Sequence, residues 1–87
     1  MASKMKAKLR ISHRGSLIVE PWAIEIRLDG KRPHELVATA EDQPSFEIET
    51  EGDSLTVYVN GRKATFELLL DGKVVAGCDV AAPALPR

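Results

Sequence analysis

Cysteine, aromatic side chains and long apolar runs are all scarce in this 87-residue chain, and each scarcity closes off a class of protein. Cys78 is the single cysteine, so no internal disulfide forms and no multi-cysteine metal site is available. One tryptophan, one tyrosine and two phenylalanines leave little material for stacking nucleic-acid bases. No run nears the ~20 apolar residues that span a bilayer. Charge of one sign is missing too. With a formal net charge of −1, no global field draws the chain to nucleic acid or membrane.

Catalytic equipment is equally thin. Cys78 would need a neighbouring base to become a thiolate nucleophile. His13 and His34 are the only histidines, and neither stands in a motif around it. No glycine loop precedes a helix in the manner that cradles phosphates. The expectation is therefore no enzyme, no cofactor and no metal site. A lone cysteine suits a reducing compartment. Residues 1–10 alternate cations with apolar residues and carry no continuous apolar leader, so a cytoplasmic location is expected.

What the sequence does have is alternation. With 44% hydrophobic and 29% charged residues, the composition is that of a globular chain, and its length fits one domain over 1–87. From Lys4 onward, Met5, Ala7, Leu9 and Ile11 alternate with Lys4, Lys6, Lys8 and Arg10, the period of a β-strand. His13 to Ser16 read as a turn. Leu17 and Val19 resume the pattern, and Trp22, Ile24, Ile26 and Leu28 continue it one residue out of phase. Pro21 sits at the change, which predicts a bulge or sharp bend at Glu20–Pro21.

Asp29-Gly30, Asn60-Gly61 and Asp71-Gly72 each suit a two-residue hairpin turn. The resulting registers set Val57 opposite Ala64, Leu55 opposite Phe66 and Leu68 opposite Val75. Those six residues then share one face. On the other face Leu69 meets Val74, with Tyr58 and Thr65 beside them and Cys78 opposite Thr65. A bulge near Gly77 would instead turn Cys78 inward. The connection after Asp29-Gly30 reads as longer, because Arg32 and Pro33 follow.

Phe46 and Ile48 mark a further strand. The segment 33–43 fits either a short strand over 36–40 or one short helix. Ile24–Lys31 resembles Phe66–Lys73, a likeness that hairpin chemistry alone can produce. About seven short strands predict an all-β fold, a small antiparallel β-sandwich of Ig-like or barrel-like form. A loose C-terminal tail is expected over 82–87.

The charge order is the informative feature. Lys4, Lys6, Lys8 and Arg10 form a row of cations ~6.8 Å apart along an extended strand. Glu47, Glu49, Glu51 and Asp53 form a matching row of anions. From Glu41 to Asp53 there are six acids and no base. On adjacent strands the two rows would neutralise each other, or the lysines would guard a sheet edge. Held apart, they would present a basic and an acidic surface.

The expected function is a non-enzymatic protein-interaction module, an inhibitor, adaptor or structural accessory protein of the kind phage and mobile elements also carry. Its candidate interface comprises Glu47, Glu49, Glu51, Asp53, Tyr58, Leu69 and Val74. The partner is a protein, with a homodimer as one form. The alternative is nucleic-acid binding through Lys4, Lys6, Lys8 and Arg10.

Overall fold

Period-two alternation dictates strands, and the computed structural model of the chain, which describes residues 3–78 and 80, contains eight. In chain order they are β1 (Met5–Ile11), β2 (Arg14–Glu20), β3 (Ile24–Asp29), β4 (His34–Ala40), β5 (Ser45–Glu51), β6 (Ser54–Asn60), β7 (Thr65–Leu70) and β8 (Lys73–Cys78). They form two four-stranded sheets, β1-β4-β7-β8 and β3-β2-β6-β5. The sheets pack face to face as a small β-sandwich. Its core is centred on Leu17, Val19, Leu36, Val57, Phe66 and Leu68, all fully buried. Burying each such side chain contributes about 1.5–3 kcal/mol. All six come from the central strands β2, β4, β6 and β7.

The segment 33–43 holds a strand, and no helix occurs among the described residues. β4 lies between β1 and β7, with Leu36, Ala38 and Ala40 facing the core. Val37 faces outward yet is 9% exposed, because strands on both sides cover it. That outer burial is what mimics helical spacing. The expected turn at His13–Ser16 is shorter than predicted, since β2 already begins at Arg14. The phase change at Pro21 is a full reversal: Val19 pairs with Ile24 and Leu17 with Ile26, antiparallel. Both halves face the same core.

Of the three hairpin expectations, one holds. Asp71 and Gly72 have φ of +52° and +78°, and Leu69 faces Val74 as the turn demands. A bulge between Leu68 and Leu69 then shifts the register. Leu68 pairs with Ala76 and Phe66 with Cys78, so Val75 leaves the core and Cys78 packs against it.

Asn60-Gly61 is a crossover between sheets. Both sides of β6 are already taken, by β5 antiparallel and by β2 in parallel, so β7 joins the other sheet. A Cβ on Gly61 would stand 2.8 Å from the Ala40 Cβ, so glycine is needed for the close crossing. Arg62 N–H donates to Asp42 Oδ1 at 2.8 Å, and Glu41 N–H donates to the Arg62 carbonyl at 2.9 Å. The predicted faces nevertheless survive for Leu55, Val57, Ala64, Phe66 and Leu68.

Asp29-Gly30 likewise opens a crossover, from β3 to β4. The Lys31 N–H donates to Asp29 Oδ1 at 2.9 Å, which holds that carboxyl below its usual range. The Ile24–Lys31 and Phe66–Lys73 likeness therefore spans two different connections. The hairpin that sequence reading missed is β5–β6, where Gly52 (φ +59°) and Asp53 link Glu51 to Ser54. Glycine in the first loop position suits the II′ turn, whereas the expected signal had it second.

Contacts between the sheets fix how they stack. The Trp22 ring lies 4.7 Å from that of Phe66, and its Nε1–H donates to the Val80 carbonyl at 2.9 Å. Arg32, between β3 and β4, bonds Asp71 at the β7–β8 turn. Glu41 after β4 pairs with Arg62 and Lys63 after β6. These ties set β3 against β8, β2 against β7 and β6 against β4. By strand order, the β1 and β5 edges then lie on the same side of the sandwich. The tail expected over 82–87 lies outside the described residues. No helix among the described residues is long and apolar enough to cross a membrane.

Candidate protein-interaction surface

The two charged rows lie on different sheets. β1 is one edge of the first sheet and β5 one edge of the second, so the rows are not hydrogen-bonded neighbours. Lys6, Lys8 and Arg10 face outward on β1, opposite Thr39, Val37 and Glu35 of β4. Lys4 is exposed just before the strand. Lys8 reaches Glu35 at 4.0 Å, an exposed pair of about 0–1 kcal/mol.

Glu47, Glu49 and Glu51 face outward on β5, opposite Tyr58, Thr56 and Ser54. Among the ion pairs of the described residues, none involves these three glutamates. The same face of the sheet gathers more acid than sequence reading found. Glu20 stands opposite Tyr58 across the parallel β2–β6 pairing, and Glu25 stands opposite Ile18. Tyr58 thus sits between carboxylates on both flanks. Glu49 above all, then burial, Glu20 and Glu47, push its hydroxyl above the usual phenol range, because a phenolate would face negative charge. The strand periods of 17–20 and 24–29 carried a signal for this, since Glu20 and Glu25 alternate with core residues. The β2–β6 pairing that places them beside Tyr58 is non-local and left no mark.

Asp53 does not continue the row. It occupies the β5–β6 turn, with its carboxylate 3.7 Å from Arg27. Its carbonyl accepts hydrogen bonds from Ser16 N–H at 3.1 Å and His13 Nε2 at 2.9 Å. A Cβ on Gly15 would come within 2.1 Å of that oxygen. Asp53 is a joint holding the turn against β2.

Leu69 and Val74 are paired as expected, but on the outer face of the first sheet. Tyr58 is on the outer face of the second, so the surface predicted to unite the three is divided. The second sheet covers the inner faces and leaves Val74 exposed. Beside β8 the outer face forms an open groove of about 460 Å³, lined by Thr65, Glu67, Val75, Gly77 and Cys78 among others. Cys78 is half-buried, with Sγ 3.7 Å from the Val80 carbonyl. Neither histidine is near it in the sheet. Cys78 pairs with Phe66, four residues along β7 from the partner of His34, and His13 is bound at the Asp53 joint. Among the described residues no three His, Cys, Asp or Glu side chains converge as metal ligands would.

Apolar residues add to the β1 and β5 edges. Met5 and Ile48 point to the inner side of their strands yet are 46% and 51% exposed. Among the described residues, none closes the sandwich along that seam. The arrangement offers two unpaired strand edges, one basic and one acidic outside, with apolar side chains between the layers. No protein-family model, no curated protein and no solved structure matches this chain.

Proposed function

We propose that this chain is a non-enzymatic protein-interaction module whose acidic edge strand, β5, accepts a basic extended segment of a protein partner. The observation that carries the reading is the β5 edge itself. It presents the free side of an edge strand, three exposed glutamates that join no ion pair among the described residues, and a half-exposed Ile48 on the opposite face. Strand addition uses such features together: backbone bonds supply affinity, and alternate side chains supply selection. The added segment would set its cations against Glu47, Glu49 and Glu51 and its apolar residues against Ile48. Tyr58 and Glu20 extend the acidic face inward from the edge.

An eight-residue peptide alternating lysine and leucine is the direct probe. Fluorescence anisotropy is expected to show binding that weakens with salt and is lost in the Glu47→Lys/Glu49→Lys/Glu51→Lys variant. Absence of binding, or binding indifferent to the reversal, overturns the reading. So does salt-sensitive binding of a single-stranded oligonucleotide that collapses when Lys4, Lys6, Lys8 and Arg10 become serine, which is the signature of a phosphate-contacting strand.

A further inference from the structure

We propose that the open seam is a homodimer interface, in which β1 of each copy pairs in parallel with β5 of the other about a two-fold axis running along the strands. The inference rests on reading β5 as a strand-accepting edge and names the segment it accepts.

Three observations meet at the seam. The first is geometric. Met5 pairs with Ala40, which touches Gly61 beside Asn60, and Asn60 pairs with Ser45. β1 and β5 therefore begin at the same end of the sandwich. They also run the same way, since β1 is antiparallel to β4 and the chain reverses between β4 and β5. Both are seven residues long. A two-fold rotation about an axis along the strands brings β1 beside the second copy's β5 in one layer and β5 beside its β1 in the other. Outer faces stay outer, and two continuous eight-stranded sheets result from the two four-stranded ones of each copy.

The second observation is charge. In that pairing the outward order Lys6, Lys8, Arg10 runs along the outward order Glu47, Glu49, Glu51. Opposite charges on neighbouring strands attract, and the pairing of the two rows occurs twice in the dimer. A two-fold axis normal to the sheets would instead place β1 against β1 and β5 against β5. Lysine would then face lysine and glutamate would face glutamate, which is destabilising. Lysines on an edge strand repel most other edges, and here they admit one that is acidic.

The third observation is apolar. Met5 and Ile48 are half-exposed on the inner side of the two edge strands. In the pair of copies they stand on the inner side of the joined sheets, where the two cores become continuous. One arrangement thus satisfies the backbone edges, the charges and the exposed apolar side chains.

Sedimentation of the full chain tests this. The wild type is expected to be dimeric at about 100 µM and to dissociate as salt rises. Lys6→Glu/Lys8→Glu and, separately, Glu47→Lys/Glu49→Lys are each expected to weaken association by at least about tenfold. Combining all four substitutions in one chain restores complementarity, and association should return. That rescue also shows that the altered chains fold. A wild type that stays monomeric at about 1 mM overturns the proposal, as does a dimer indifferent to both reversals. The Lys6→Glu/Lys8→Glu chain leaves β5 intact and separates the two readings. If it captures the alternating peptide while the wild type is monomeric, self-pairing fails and the strand-accepting edge stands. If it fails to bind the peptide, the reading of β5 falls as well.

Discussion

Where β3 lies against β8 the sandwich edge is roofed, whereas where β1 lies against β5 it is open. On the roofed side Trp22 leans across from the β2–β3 turn onto Phe66, and its indole N–H reaches the carbonyl of Val80. Arg32 and Asp71 tie the far end, and Leu28 of the edge strand β3 is 3% exposed. On the open side Phe46 packs inward against the core, yet the inward-facing Met5 and Ile48 are about half in water. Strand edges are normally blunted by charge, proline or cover. One edge of this molecule is closed by a large side chain and a tilted ring pair. The other is left wet and is guarded against pairing by rows of charge. An edge finished by charge remains able to pair with its opposite.

Removing the roof should have the largest effect. Trp22→Ala deletes the ring packed on Phe66 and the hydrogen bond to Val80. Urea unfolding is expected to show a loss of about 3 kcal/mol, the range for truncating a large aromatic against a core. A loss below about 1 kcal/mol would mean that the two edges are finished alike.

The open edge should be far more tolerant. Ile48→Thr is expected to cost less than about 0.5–1 kcal/mol in dilute protein, since half of the side chain is already solvated. If the cost rises with protein concentration, the seam is being covered by association. If it exceeds about 2 kcal/mol even when dilute, the edge is closed within a single copy and the comparison breaks.

The smallest effect belongs to Asp29, at the end of the roofed edge strand β3. Its carboxylate accepts the Lys31 N–H, which, more than the neighbouring Lys31 and Arg32 charges, holds its pKa below the ordinary range. A carboxyl whose folded pKa is depressed stabilises the fold above its unfolded pKa of about 4 and loses that contribution as pH falls through the folded value. Asp29→Asn keeps an oxygen for the Lys31 N–H but removes the charge. Denaturant midpoints for this variant should fall less steeply than wild type as pH is lowered below about 4. An identical slope would show that the charged form gains nothing from the turn.

Much of this molecule is legible one strand at a time. Which side chains of β1, β5 and β7 face inward follows from period two, because a pleated backbone sends successive Cβ atoms to opposite faces whatever the neighbour is. For the same reason Lys6, Lys8 and Arg10, and Glu47, Glu49 and Glu51, stand in rows in the structure as in the chain. The Asp71-Gly72 turn was equally readable, since both positions need positive φ and few residue pairs supply it. The reading failed at Asn60-Gly61. There the same residue chemistry serves a crossover, because β6 is already paired with β5 through their own hairpin and with the distant β2. It failed again at Val75, where a bulge reverses every later side chain of β8.

The sequence by itself determined a β-rich chain, the inner and outer sets of β1, β5 and β7, and two rows of opposite charge. Those are local consequences of backbone geometry and side-chain chemistry. Tertiary structure alone decided that β2 and β6 pair in parallel, bringing Glu20 and Glu25 to the acidic face around Tyr58. It alone decided that the basic and acidic rows occupy edges of different sheets, stacked one over the other with a half-exposed core between them. Those outcomes depend on which strands compete for each edge, a choice among long-range pairings that no local pattern encodes.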